Sequence, residues 1–243
     1  MMMFATFLIL GVLLGFAGAG GSGFVFALLI TVFALPVPIA LGTSLTSMFF
    51  TVISGAISHI RQKPAYLKIA LHIGLLGAVG AFLGSKTSHF MNPQFIIIVS
   101  ACMLFISSFF IWYRTRLPVQ KIEDEKNIYI LKVVLIGLIN GFLSGCFGIG
   151  ATPLIQLSLI LFLGLTLAEA ASISMIILLP VSFFGAFGYI QNGFIDWAIL
   201  FNVILATVIG SYIGAKFTNV APTFILRGIV ITLPILGGII LLV

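Results

Sequence analysis

The chain has 243 residues, of which 61% are apolar and 7% charged, with a formal net charge of +6. Soluble globular domains average nearer half apolar and a quarter charged; the composition excludes that class, and at about 20 residues per spanning helix the length holds roughly eight to ten crossings. The positive charge does not point to nucleic acid, because Arg114, Arg116, Lys121, Lys126 and Lys132 sit in or beside one central loop, as the positive-inside rule expects of a cytoplasmic loop.

In chain order, the first apolar stretch covers residues 4–18. It lacks a basic n-region and apolar sequence resumes at once, so it reads as a membrane segment and not a removable signal peptide. GAGGSG, Gly18 to Gly23, interrupts it. Further stretches cover 24–35, 41–60, 65–84 and 94–113, each continuous and not alternating as barrel strands would be. A charged segment with Glu123, Asp124 and Glu125 follows. Apolar sequence returns at 130–145, 151–164, 170–190, 197–215 and 223–243, with GCFGIG, Gly145 to Gly150, in the place that GAGGSG holds earlier. The predicted fold is all-α, a polytopic helical bundle: a first transmembrane repeat over 1–113, a charged cytoplasmic linker over 114–127, and a second repeat over 128–243.

Duplication is read from matched residues. At an offset of 130, Gly55, Gly80, Gly84 and Lys86 meet Gly185, Gly210, Gly214 and Lys216, and Gly11 and Gly15 match Gly137 and Gly141 at an offset of 126. The pairs Gly11/Gly15, Gly80/Gly84, Gly137/Gly141 and Gly210/Gly214 are small-xxx-small spacings, which predict close helix packing. If residues 4–35 are one crossing, each half has four spans and the repeat is parallel. If they are two short helices broken at glycine, each half has five elements and the repeat is inverted. The inverted arrangement leaves only Lys86 on the outer side and is preferred.

Candidate chemistry centres on the two glycine breaks. Six residues so poor in side chains break a helix, and non-helical backbone at membrane depth is tolerated where it lines a cavity. Paired interruptions in two halves mark a transporter's binding site, and the half-helix that restarts after each break offers free N–H groups to an anion. Gly20, Gly21, Ser22 and Gly23 are therefore candidates, with Gly148 and Gly150 in the second half. Tight interhelical turns are the plainer alternative for both runs. GAGGSG also spells a dinucleotide fingerprint, but residue 43, twenty positions on, is threonine and no strand precedes it.

Polar residues inside spans are costly and face the bundle interior. Lys68 and His72 share a helix face, and His72 matches Asn202 at the offset of 130, so the three are expected to line a pseudo-symmetric centre. Lys68 can alternatively snorkel to the interface. Thr43, Ser44 and Ser174 can bond substrate or neighbouring helices. Glu169 and Asp196 fall near span ends, as solvated caps or proton-coupling groups. Cys102 and Cys146 lack metal-like spacing, so no metal and no cofactor is expected, and no catalytic constellation indicates an enzyme.

LGTS at Leu41 to Ser44, SGAISHIRQ at Ser54 to Gln62, GAVGAFLGS at Gly77 to Ser85, GFLSGCFGIG at Gly141 to Gly150 and FGAFGYIQNGFIDW at Phe184 to Trp197 together resemble the TauE/SafE family of membrane permeases. The resemblance implies a multi-pass permease of the cell inner membrane that exports sulfite, a sulfonate or another small organosulfur anion, with a possible coupling proton or cation. It maps the family's glycine and GTS motifs onto Gly20, Gly21, Gly23, Thr43, Ser44, Gly148 and Gly150. The chain departs from the family pattern at Phe26 and Ala27, where proline is common, and at ASIS, Ala171 to Ser174. A channel or a non-transporting scaffold remains the alternative function.

Overall fold

A computed structural model of the chain describes residues 2–17, 21–60, 67–114, 126–148, 152–218 and 223–242. Each predicted apolar stretch is a helix, because a continuous apolar segment in lipid can satisfy its backbone only internally. The helices are α1 (Met2–Ala17), α2 (Ser22–Thr31), α3 (Val37–Ile60), α4 (Leu67–Ser88), α5 (Pro93–Arg114), α6 (Lys126–Phe147), α7 (Thr152–Leu163), α8 (Leu167–Gln191), α9 (Trp197–Thr218) and α10 (Thr223–Leu242). Four segments, Leu67–Ser88, Pro93–Tyr113, Ser172–Gln191 and Trp197–Gly214, are long and apolar enough to cross a bilayer on their own. α2 and α7, with 10 and 12 residues, reach only part of the way.

The two sets of five helices pack as counterparts. α4 lies along α6 and α9 along α1; α5 meets α7 and α10 meets α2; α3 packs on α8 and α5 on α10. Gly42 at the start of α3 abuts Phe194 and Tyr189 at the end of α8, so α3 and α8 run antiparallel. α4 and α6 run parallel, with Gly77 beside Gly137 and Gly84 beside Cys146; α1 and α9 do likewise, with Gly11 beside Thr207. These are the small-xxx-small glycines of the sequence. Along both seams the neighbour is backbone, which only a residue without Cβ admits.

Local chemistry repeats as well. Ala34 and Gly164, 130 positions apart, both take left-handed backbone, with φ of 49° and 63°. Leu35 N–H bonds Leu29 O in the first turn and Leu165 N–H bonds Leu159 O in the second. Left-handed backbone costs a residue with Cβ about 1 kcal/mol or more, and glycine almost nothing. Ala34→Gly is accordingly expected to raise the thermal midpoint of the purified protein, by about 1 kcal/mol of stability; an unchanged or lower midpoint counts against that assignment. Glu169 and Asp196 are both helix caps. Thr166 and Glu169 form a capping box on α8, and Asp196 accepts from the N–H groups of Ala198 and Ile199 at 3.0 Å.

One pair of counterpart crossings differs. α4 closes tightly on α8, with Gly74 against Pro180 and Ile177. The α3–α9 crossing is looser and borders an apolar cleft of about 310 Å³ lined by Phe49, Phe50, Phe183, Phe187, Trp197 and Phe201.

Candidate functional site

Each glycine break has one described glycine in left-handed backbone, at opposite ends of the two breaks. Gly21 precedes α2 and Gly148 follows α6, each with φ of 63°. A side chain at Gly21 would also overlap Leu14, and one at Gly148 would overlap Leu41. Beyond Gly21 no side chain caps the first turn of α2, whose leading N–H groups have no intrahelical partner. α7 restarts at Thr152, with Pro153 in its first turn preset for helical backbone.

The first turns of these two short helices face one cavity. Gly21, Gly23 and Phe24 line it from α2, and Thr152, Pro153 and Gln156 from α7. Mid-helix residues close it: Leu104 of α5, and Val230, Leu233, Pro234 and Gly237 of α10. It measures about 30 Å³, room for about two waters. The lining is mostly apolar, and its described residues include no charged side chain. The rest of the two breaks, residues 18–20 and 149–151, is uncharged by sequence.

Ser22 and Thr152 open α2 and α7, again 130 positions apart. Both are buried, and neither hydroxyl has a hydrogen-bond partner; Thr43 Oγ1 and Ser144 Oγ share that condition. A buried hydroxyl without a partner costs about 1–3 kcal/mol, and polar groups so placed are otherwise nearly always satisfied. The condition recurs at the first residue of both short helices. Gln156, one turn beyond Thr152 and 1% exposed, donates from Nε2 to Ser174 Oγ at 3.5 Å. Its counterpart by offset is the buried Phe26, so the amide belongs to one half alone.

The end of α6 is held in place from outside the cavity. Tyr189 Oη donates to Gly145 O at 2.8 Å and lies 2.7 Å from Ser88 Oγ, while Ser100 Oγ donates to Phe147 O at 3.0 Å. Both carbonyls lie in the last turn of α6.

Of the residues expected at the site, Ser22 and Gly23 begin α2, Gly21 immediately precedes it, and Gly148 immediately follows α6. Gly20 and Gly150 lie outside the described residues. Thr43, Ser44 and Ser174 are fully buried; Ser44 Oγ donates to Leu41 O at 2.9 Å, an intrahelical bond. Lys68, His72 and Asn202 are not brought to a common centre: all three are exposed. The inner face of α4 is a stripe of small residues including Ala70, Gly74, Gly77 and Ala81, so Lys68 and His72 fall on the opposite side with Leu71 and Leu75. His72 Nδ1 donates to Lys68 O at 2.6 Å, and Asn202 Nδ2 to Ala198 O at 3.0 Å, so each side chain bonds a backbone carbonyl of its own helix. Sequence reasoning missed Gln156 and Thr152. The available signal for Gln156 was one amide in the apolar run of α7, just after the second break.

A family model described as Sulfite exporter TauE/SafE matches residues 3–241. A probable membrane transporter protein of Bacillus subtilis (strain 168), YdhB, is 38% identical over 244 residues, covering 100% of both chains. Probable membrane transporter proteins of Xylella fastidiosa (strain 9a5c) and Methanocaldococcus jannaschii are each 27% identical, covering 85% and 87% of this chain and 80% and 83% of their own. No solved structure matches the chain.

Proposed function

The chain belongs to the TauE/SafE sulfite exporter family, a membrane transporter and not an enzyme, and on that premise we propose that it is a secondary transporter of a small anion held between the first turns of α2 and α7. The observation that carries this reading is the shared cavity, with an unpartnered, buried Thr152 hydroxyl on its wall and two uncapped or newly started half-helices facing it. Helix N-termini attract anions through their free N–H groups and dipole, and in a low-dielectric interior that attraction is strong. The anion is a sulfur oxyanion such as sulfite or a sulfonate, exported across the cell inner membrane.

The reading assigns residues 1–113 and 128–243 to two repeats of inverted topology, joined by a cytoplasmic linker over 114–127. The antiparallel course of α3 and α8, which hold corresponding places in the two repeats, supports the inversion. A cysteine introduced at Gly193 in a chain freed of Cys102 and Cys146 is expected to react with an impermeant maleimide from outside intact cells, and one in the linker only after lysis. Labelling of both from the same side would overturn the topology.

Function is tested by flux. Purified protein in proteoliposomes is expected to move radiolabelled sulfite and to show counterflow; conductance that is independent of substrate, with no sulfite or sulfonate movement, would instead indicate a pore.

A further inference from the structure

We infer that the apolar cleft beside the α3–α9 crossing holds one acyl chain of a bilayer phospholipid. The cleft is a departure from the internal repeat. At the offset of 130, Gly74 corresponds to Ile204, and Phe50 to Pro180. In the α4–α8 crossing the glycine meets the proline ring directly, so closely that a Cβ on Gly74 would come within 2.8 Å of Pro180 Cγ. In the α3–α9 crossing isoleucine and phenylalanine stand at those two places, and both line the cleft. The spacing of packed helices follows the size of the side chains between them. Two large residues where the other crossing has glycine and proline hold α3 and α9 apart, beside a space of about 310 Å³.

Its shape and position fit a chain descending from the headgroups. Trp197 is the first residue of α9 and Ile190 the last but one of α8, so one end of the cleft lies at helix termini. Tryptophan at a span end marks the level of the membrane interface. Phe183 and Ile204 line the other end, two helical turns and about 10 Å away along α8 and α9. The long axis therefore follows the helices, as lipid chains do. An apolar cavity of about 150 Å³ holds a benzene ring, so about twice that space takes about a dozen chain carbons.

The surroundings name the occupant. Trp197, Phe201 and Phe183 are 65%, 64% and 48% exposed, so the cleft opens on the side where the helices of a membrane transporter meet lipid, and its wall is continuous with that surface. Thr46, the hydroxyl-bearing residue of the wall, spends its donor on Gly42 O at 2.7 Å. Water in the cleft would find few hydrogen-bond partners, and a vacant cleft would forfeit the dispersion contacts of the rings that line it. A chain supplied by the bilayer recovers those contacts. It also fills the gap between two packed helix pairs, since α9 is seamed to α1 and α3 packs on α8.

Photolabelling tests the assignment on the whole chain in detergent micelles, titrated with phosphatidylglycerol that carries a diazirine on one acyl chain. Label is expected on residues 183–190 and 197–204 and is expected to saturate. The outer face of α4, with Leu71, Leu75 and Val79 each more than half exposed, is the comparison. Label there is expected to be at least about fivefold weaker, the contrast between a seated and a passing chain, and to rise without saturation. Ala186→Phe puts a ring into the cleft from its buried wall and is expected to cut label on 197–204 at least about tenfold. Should that variant not fold, competition on the parent chain decides: excess unlabelled phosphatidylglycerol removes label from α8 and α9 and leaves that on α4. Equal, unsaturable label on both surfaces overturns the inference. Displacement by dodecanesulfonate but not by phospholipid also overturns it, and would assign the cleft to an amphiphilic substrate. Disulfide-linked Trp197→Cys dimers that take no label would overturn it in favour of a second copy of the chain.

Discussion

Thr152→Asp is expected to abolish anion flux while the protein still folds. Residue 152 is in the first turn of α7, where a carboxylate is favoured by the helix dipole. That same carboxylate puts a fixed negative charge on the cavity wall, in competition with the transported ion. Two like charges about 4 Å apart repel by about 4 kcal/mol at the effective dielectric of a protein, close to a thousandfold in occupancy. Thr152→Asn, similar in size and neutral, is expected to stay within about tenfold of the parent. Sulfite counterflow measures the loss, and an unchanged elution profile and thermal midpoint exclude misfolding. Flux by Thr152→Asp at the parent rate would remove Thr152 from the site.

Gly141→Leu is expected to eliminate folded protein. Any Cβ at Gly141 would land on the Gly77 backbone, its carbonyl oxygen foremost. No rotamer change relieves a clash with backbone, so α4 and α6 must separate along a seam that also holds Gly80, Gly84, Gly137 and Gly145. Extra methylenes in a packed interior cost about 1–3 kcal/mol even where side chains can shift; here the whole seam opens. Gly228→Ala is the comparison, since a Cβ there meets nothing within 4 Å. It is expected to leave the protein intact and to stabilise α10 by about 1 kcal/mol through helix propensity. Size-exclusion profiles of the two variants decide the matter: a monodisperse Gly141→Leu protein would mean that the seam tolerates separation.

The helices were legible because lipid imposes one rule along the whole chain, and the breaks because runs of glycine contradict that rule locally. The seams could be read from Gly80/Gly84 and Gly210/Gly214, since close backbone approach explains glycines one turn apart on one face. The polar lining was harder. Matching His72 with Asn202 at an offset of 130 establishes that they hold equivalent places, but equivalence carries no information on whether the place is inside; the small-residue stripe on α4 puts it outside. Gln156 was passed over for the opposite reason. A search for matched pairs discards a residue whose counterpart is Phe26, although an amide in an apolar half-helix is conspicuous by itself. The cavity was the least legible part, because half its wall comes from the middles of α5 and α10, where nothing in Leu104 or Leu233 announces a site.

The glycine seams join α4 to α6 and α9 to α1, always a helix from one half with a helix from the other. Each half taken alone would expose a groove of bare backbone with no mate, so the halves are interlocked partners and not separable lobes. Severing the linker should therefore leave the assembly standing, and two co-expressed fragments should find each other in the bilayer through those same grooves. During any rearrangement the tightly seamed pairs travel as units, which puts the moving boundaries between α4–α6 and α9–α1 and not between the first and second halves of the chain.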